Sequence, residues 1–227
     1  MGNSAFKKQE DYYQNRGDDL LKLVPSNVKS VLDIGCGFGF IGKRLKDAGA
    51  EKVIGIEASP EAAEKAREHL DKVYIGNIET MELEFNREAF DCIVLGDVIE
   101  HLVNPWNVIK DLIEFLDPDG SIVISLPNIG HWSVIKELLR GNWTYVDKGI
   151  LDITHLRFFT LKSARKMFED NGFAIDKITY RLDCAKFFKK VNKLMGGKLT
   201  HFLAWQYLIR VRKKGNRREG EAQSAGC

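Results

Sequence analysis

The chain is poor in the features that mark secreted, disulfide-stapled or membrane-embedded proteins. Its 227 residues contain four cysteines, Cys36, Cys92, Cys184 and Cys227, with no Cys-x-x-Cys and no paired spacing. That leaves no support for a disulfide framework, and a reduced, cytoplasmic protein is expected. No apolar run approaches the roughly 18 residues that a membrane-spanning helix needs. The amino terminus is polar and soon charged, unlike a signal peptide. Its start, Met1-Gly-Asn-Ser-Ala-Phe6, carries Phe where an N-myristoylation motif has Ser or Thr. There is no internal repeat. With these classes set aside, the length fits one globular domain with a substantial core.

The overall charge of +2 conceals an asymmetry. Residues 186–218 hold eleven Lys and Arg and no acid, and Glu219 and Glu221 follow, which leaves residues 1–185 at −7. An acidic body with a basic carboxyl-terminal segment admits an anionic partner such as a phospholipid surface; it equally describes a solvated helix face and tail. Lys186, Lys189, Lys190 and Lys193 interleave with Phe187, Phe188, Val191 and Leu194, an interfacial pattern that permits weak peripheral membrane contact.

The most informative stretch is Val31-Leu-Asp-Ile-Gly-Cys-Gly-Phe-Gly-Phe40. A short buried strand ends near Asp33 and breaks into Gly35-x-Gly37-x-Gly39. Glycine admits positive φ and lets a ligand lie against bare main chain, so a strand stopping in such a turn and restarting as a helix forms a small-molecule cradle. A dinucleotide fingerprint, G-x-G-x-x-G, would put its third small residue at position 40, which is Phe. Lys52–Glu57 reads as a second strand ending in an acid, 22 residues after Gly35. That interval matches the roughly 20 residues after which a βαβ unit sets a carboxylate on ribose hydroxyls. Glu57 is also placed to cap the helix that opens at Ser59-Pro60.

Strands and helices alternate from there. Strands are expected at 30–35, 52–57, 73–75, 90–95, 121–126, 173–181 and 205–212. Helices are expected near 7–23, 39–48, 60–70, 105–116, 160–171 and 185–195, with a turn at Asp117-Pro-Asp-Gly120. Residues 127–158 break the rhythm as an irregular or partly helical insertion. This order implies an α/β fold, a doubly wound, mainly parallel sheet with helices on both faces. In such a sheet, ligands sit at the carboxyl ends of the strands. That rule points to residues 35–40, Glu57-Ala58, Gly76-Asn77-Ile78, Gly96-Asp97-Val98 and Pro127-Asn128.

The D-x-G-x-G-x-G pattern of Asp33 to Gly39 resembles motif I of the class I S-adenosylmethionine (SAM) dependent methyltransferases. Asp91-Cys-Ile-Val-Leu-Gly-Asp-Val-Ile-Glu-His-Leu102 resembles motif IV of the branch containing the ubiquinone-type O-methyltransferases, among the type 11 and type 23 families. The stretches Leu126–Trp132, Gly141–Tyr145 and Gly149–Thr160 are similar to a bacterial, glycan-associated subtype. The resemblance covers about residues 30–182 and implies a Rossmann-like seven-stranded sheet, mostly parallel, with an antiparallel last strand beside the sixth. One domain is expected over 1–212, and the polar, charged residues 213–227 are expected to form a disordered tail. The domain carries an amino-terminal lid helix (1–24), an acceptor-site insertion (127–158) and a basic helical segment (184–203).

The resemblance makes SAM the cofactor and assigns its site to Asp33, Gly35, Cys36, Gly37, Gly39, Phe40, Glu57, Ala58, Asn77, Ile78, Gly96, Asp97 and Val98, with Tyr13 closing over it. Asn77 stands where similar enzymes commonly hold adenine's amine with an Asp. Ile78 serves either the ring or the core. Asp97 either favours the cationic end of SAM or caps a helix. Tyr12 and Tyr13 are lid or packing residues. The insertion carries His131, Trp132, Trp143, Tyr145, Asp152, His155 and Arg157. A histidine near neutral pKa can take a hydroxyl proton as a methyl group arrives, which makes His155 the first and His131 the second candidate base. Each can instead serve packing, with His155 bonded to main chain and Leu156–Thr160 docking the insertion. His69 is expected to face solvent. Glu100 and His101, as two adjacent residues, form no ligand set, so no metal is expected.

The implied function is methyl transfer to a hydroxyl of a small molecule, sugar or lipid-linked acceptor, with room for a homodimer. Other readings are a non-catalytic SAM-binding or assembly protein, a dinucleotide oxidoreductase, and a methyltransferase acting on RNA or protein. No Asn/Asp-Pro-Pro-Tyr/Phe follows the fourth strand and no RNA-binding domain is evident, so the nucleic-acid signal is weak.

Overall fold

Seven apolar runs become the seven strands of one sheet in the computed structural model, which describes residues 17–182, 190 and 192–215. In chain order they are β1 (Ser30–Ile34), β2 (Lys52–Glu57), β3 (Lys72–Ile75), β4 (Phe90–Gly96), β5 (Leu116–Pro127), β6 (Phe173–Leu182) and β7 (Ala204–Lys213). Their spatial order is β3-β2-β1-β4-β5-β7-β6. The first four pairings, from β3 to β5, are parallel. β7 is antiparallel to both β5 and β6, so it alone runs against the sheet. The doubly wound architecture with an antiparallel last strand is therefore present.

Side chains alternate between the two faces, and each face has its own core. Leu32, Ile34, Ile93, Leu95, Ile122, Ile124, Ile209 and Val211 belong to one cluster. Their neighbours Val31, Cys92, Val94, Val123 and Leu208 belong to the other. Helices α1 (Asp18–Leu21), α2 (Phe40–Asp47) and α3 (Pro60–Ala66) cover the second face through Leu20, Leu45, Ala63 and Ala66. Helices α4 (Pro105–Leu112) and α6 (Leu161–Asp170) cover the first through Ile109, Leu112, Met167 and Phe168. Each large aliphatic side chain so buried contributes about 1.5–3 kcal/mol. Among the described residues, α5 (Trp132–Leu139) lies inside the insertion and α7 (Thr200–Leu203) leads into β7, and residues 190 and 192–194, within the helix expected near 185–195, are helical as well.

Several boundaries differ from those expected. The helix expected over 60–70 stops at Ala66 and that over 105–116 at Leu112. The turn at 117–120 is absorbed into β5. Between the pairs Phe90↔Leu116 and Cys92↔Ser121, four residues of β5 face one of β4, pinched by an Asp119 N–H to Asp117 Oδ1 bond of 2.8 Å. Of the helix expected over 7–23, α1 is the described part, with Leu20 and Leu23 buried. Tyr12, Tyr13, Arg16 and the tail from 216 lie outside the described residues, as does most of the basic run over 184–191. His69 is half-buried, its ring 5.8 Å from that of Phe40, because the chain folds back there onto the start of α2.

Candidate active site

The carboxyl ends of β1, β2 and β4 open into one cavity of about 830 Å³. Its floor is the glycine turn. Gly35, Gly37 and Gly39 all have positive φ, at 66°, 54° and 79°. At Gly35 a Cβ would lie 2.6 Å from Val98 Cγ2, so the turn and the loop after β4 touch only because that residue has no side chain. Gly39 is the left-handed N-cap of α2, packed on the backbone of Ala66. Gly35, Cys36, Gly37 and Phe40 line the cavity, while Gly39 lies behind it.

Glu57 ties this floor to the next strand. Its Oε2 accepts from Gly37 N–H at 2.9 Å and its Oε1 from Ser59 N–H at 2.8 Å, and it lines the cavity beside Ala58. Ser59 is the true N-cap of α3, accepting from Ala62 N–H. Glu57 thus braces the glycine turn and the helix entry together, and each of its oxygens retains a second acceptor site for a diol.

Asp33 lies beneath the turn, 1% exposed, with Oδ2 making no hydrogen bond. Burial first, then the neighbouring Glu57 charge, raises its pKa to about 7 against the opposing pull of the Gly42 amide. Cys36, buried against Gly55, has its thiol pushed up by the same burial and by both carboxylates, which makes it an unreactive packing group.

Asn77, Ile78, Gly96, Asp97 and Val98 also line the cavity. Asn77 Oδ1 accepts from Glu79 N–H at 2.9 Å, closing its own turn. Glu79 in turn accepts from Val103 N–H and Asn104 N–H at 3.0 and 2.6 Å, so it fixes the loop after β3 to the one after β4. Ile78 packs on the core and faces the cavity at once. Asp97, at φ 57°, does not cap the 3-10 turn Ile99–His101. Its Oδ1 instead accepts from Ser125 Oγ–H at 2.7 Å and from Gln206 Nε2–H. Ser125 and Gln206 were not legible as site residues from sequence.

The insertion forms the opposite wall through Asp147, Lys148, Asp152, Ile153 and Thr154. It is docked by main chain, since the amides of Leu156 and Arg157 donate to Glu100 O at 2.8 and 3.0 Å. Arg157 is part of that docking, its guanidinium bonded to Val103 O and stacked on Trp106. Asn128 is fully buried as a second pin, donating to His201 O and Ala204 O at 2.7 Å each. Asp152 accepts from the amide and hydroxyl of Thr154 at 2.9 and 2.6 Å. Burial pushes its carboxyl up, but these bonds outweigh burial and hold it below the ordinary range.

The two candidate bases separate. His131 caps α5, its Nδ1 accepting from Ser133 N–H, with its ring edge-on to Trp205; it is 2% exposed and not part of the cavity wall. His155 is buried at 8% with Nδ1 bonded to Ile150 O at 3.0 Å. A carbonyl only accepts, so Nδ1 carries the proton and Nε2 is the basic nitrogen. Burial lowers the pKa of His155, keeping it neutral near pH 7. It does not itself line the cavity. His101 does, and the two rings are edge to face at 4.8 Å. His101 Nδ1 bonds to Thr154 O at 3.2 Å, which gives it the same tautomer. Glu100, His101 and His155 offer one ligand atom each within 4.8 Å of one another. Sequence spacing could not show this, because the third residue arrives from the insertion.

A strand-end cavity with a glycine-turn floor, a braced carboxylate and a second wall from an insertion defines a nucleotide-cofactor-binding α/β domain. A family model described as a methyltransferase domain matches residues 7–178. The chain therefore belongs to the S-adenosylmethionine-dependent methyltransferases. It is 32% identical over 154 residues to a ubiquinone biosynthesis O-methyltransferase of Bradyrhizobium diazoefficiens, covering 66% of this chain and 60% of that protein. It is 31% identical over 183 residues to the mitochondrial protein of that name from Bos taurus, covering 71% and 47%. A ribosomal protein L11 methyltransferase of Thermosipho africanus is 30% identical over 121 residues, covering 50% and 45%. The chain thus spans about half the length of the curated relatives it matches. A SAM-dependent methyltransferase from Archaeoglobus fulgidus shares the fold at a TM-score of 0.69 and 18% identity, covering 94% of this chain and 100% of that one.

Proposed function

We propose that this protein O-methylates a hydroxyl of a small-molecule, sugar or lipid-linked acceptor. The observation that carries the proposal is the single cavity shared by the glycine turn and the insertion, with a histidine pair where they meet. The name of the O-methyltransferase relatives supports an oxygen acceptor.

SAM supplies a methyl group already activated on a sulfonium. The chain's residues then have three tasks. The glycine turn, Glu57 and the Asn77–Ile78 corner hold the nucleoside end. Asp97 sets a negative charge toward the cationic end. The insertion wall positions the acceptor, and positioning alone supplies up to ~7–11 kcal/mol in favourable cases. His101, on the cavity wall, meets the acceptor hydroxyl, and His155 behind it takes the proton by way of His101 or a bridging water, at an Nε2 kept neutral by burial. His131, committed to capping α5, has no part in this reading.

The experiment is to incubate methyl-labelled SAM with the protein and a fractionated bacterial extract. Label in a lipid, glycan or small-molecule fraction, carried on a group that is not a cation-exchange-retained methylamine, supports O-methylation. Label in protein or RNA redirects the acceptor, and SAM binding with no transfer indicates a non-catalytic role.

The Glu100–His101–His155 cluster favours a second reading, in which these residues hold a divalent cation that acidifies the acceptor hydroxyl. The Nδ1-to-carbonyl bonds of both histidines aim Nε2 as metal-binding histidines do. Loss of transfer after chelation, restored by added Mg²⁺, Mn²⁺ or Zn²⁺, selects this reading; indifference to chelator excludes it.

A further inference from the structure

The antiparallel strand brings its amino end, not its carboxyl end, to the edge of the sheet where the ligand site lies. Gln206, the third residue of β7, stands opposite Pro127 of β5 on one side and Arg181 of β6 on the other. Its side chain is 2% exposed. Nε2 donates to Asp97 Oδ1, and Oε1 accepts from Arg181 Nη1 at 2.7 Å. Arg181 continues to Asp19 Oδ2 at 3.5 Å, in α1. α1 in turn packs over the end of β4, with Leu20 Cδ2 3.3 Å from where a Cβ of Gly96 would lie, and Leu20 and Gly17 line the cavity.

The chemistry of this row admits one arrangement. An ionised carboxylate only accepts and a guanidinium only donates. The residue between them must offer a donor on one side and an acceptor on the other, in one plane. A primary amide does that, and neither a carboxylate nor an apolar side chain can. Ser125 Oγ–H converges on the same Asp97 oxygen, so two donors fix the carboxylate plane of a residue whose backbone is already in the left-handed region. The far end of the row is a surface charge on the first helix covering the cavity.

We infer that Gln206 and Arg181 are positioning residues for Asp97, and that through Asp19 they tie the placement of its carboxylate to the seating of α1 over the cofactor. The inference rests on Asp97 facing the cationic end of SAM, as proposed above. It gives the late, antiparallel part of the sheet a role in cofactor discrimination, and not only in covering the acceptor.

The test compares SAM with S-adenosylhomocysteine, which has the same nucleoside and amino acid ends but a neutral thioether. Calorimetry on folded Gln206→Met, Gln206→Glu, Arg181→Gln and Asp19→Asn, with circular dichroism and melting curves as fold controls, gives both affinities. Gln206→Met is expected to weaken SAM about tenfold more than it weakens the thioether, the size of one charge-assisted hydrogen bond lost. Gln206→Glu, which sets a second carboxylate against the first, is expected to lose at least as much. Arg181→Gln falls between, and Asp19→Asn shows the smallest change with the same sign. Gln206→Met combined with Asp97→Asn is expected to be no worse than Asp97→Asn alone. Equal weakening of both ligands, or full additivity in the double variant, would mean that Gln206 only packs the sheet and would overturn the inference. If Gln206 variants do not fold, the Arg181→Gln and Asp19→Asn ratios decide. If Asp97→Asn itself leaves the ratio unchanged, the assignment of Asp97 to the cationic end fails instead.

Discussion

The two halves of the sheet deliver residues to one cavity by opposite routes. From β3 to β4 the strands are parallel, and each contributes what lies within a few residues of its carboxyl end: Gly35 to Phe40, Glu57-Ala58, Asn77-Ile78 and Gly96 to Val98. From β5 to β6 the site depends on contacts far apart in sequence. Asp97 is held by Ser125 and Gln206, the insertion is docked on Glu100, and His155 meets His101 across 53 intervening residues. A local rule governs the first half, and a tertiary arrangement governs the second.

The sharpest way to break the first half is at Gly35. Gly35→Ala places a Cβ against Val98 in a backbone conformation with φ 66°. Strain of roughly 1–2 kcal/mol adds to the clash, and we expect a fall in stability of about 2–4 kcal/mol and a loss of SAM affinity of tenfold or more. Chemical denaturation and calorimetry check the two effects. Undisturbed SAM affinity in this variant would mean that the glycine turn is not the cradle.

A smaller effect concerns Asp33. Its folded pKa, raised to about 7 from 3.8, means that the folded state holds a proton which the unfolded chain releases between those values. Its contribution to stability is therefore fully present below about pH 4 and lost as pH rises toward 7. Asp33→Asn removes that slope. Stability curves at pH 4.5, 6 and 7.5 are expected to converge between wild type and variant at the acid end and to favour the variant at the neutral end. Parallel curves would contradict the assignment.

Glu57→Gln gives the mildest change in this half. The amide retains an acceptor for Gly37 or Ser59 but not both, and we expect SAM affinity to fall by about 1–2 kcal/mol. An unchanged affinity would assign Glu57 to bracing alone.

This contrast also explains what could be read from the chain. The glycine turn, the strand-end acid and the parallel order are local patterns, dictated by backbone conformations open to few residue types and by apolar runs buried on both faces. The positions of Asp33, Cys36, Glu57 and Asp97 followed from them. Gln206 and Ser125 carried no signal, because nothing in Ala-Trp-Gln-Tyr or Ile-Ser-Leu marks which polar residue will meet a carboxylate on a distant strand. The sequence reading puts His155 ahead of His131 as the base, although both are histidines in an aromatic-rich insertion. The structure separates them by what their Nδ1 atoms do, one accepting from a helix start and the other donating to a carbonyl. The Asp117–Gly120 turn was misplaced because Pro and Gly mark a bulge inside a strand as readily as a turn between elements.

The claim that most needs testing is that the two halves divide binding from chemistry. The measurement is SAM affinity and methyl-transfer rate on the same preparation of His155→Ala, with an acceptor fraction that the wild-type protein labels. An affinity within about twofold of wild type and a transfer rate lower by roughly 10²–10⁴-fold are expected. A variant that transfers at the wild-type rate, or one that loses SAM binding along with transfer, would contradict that claim.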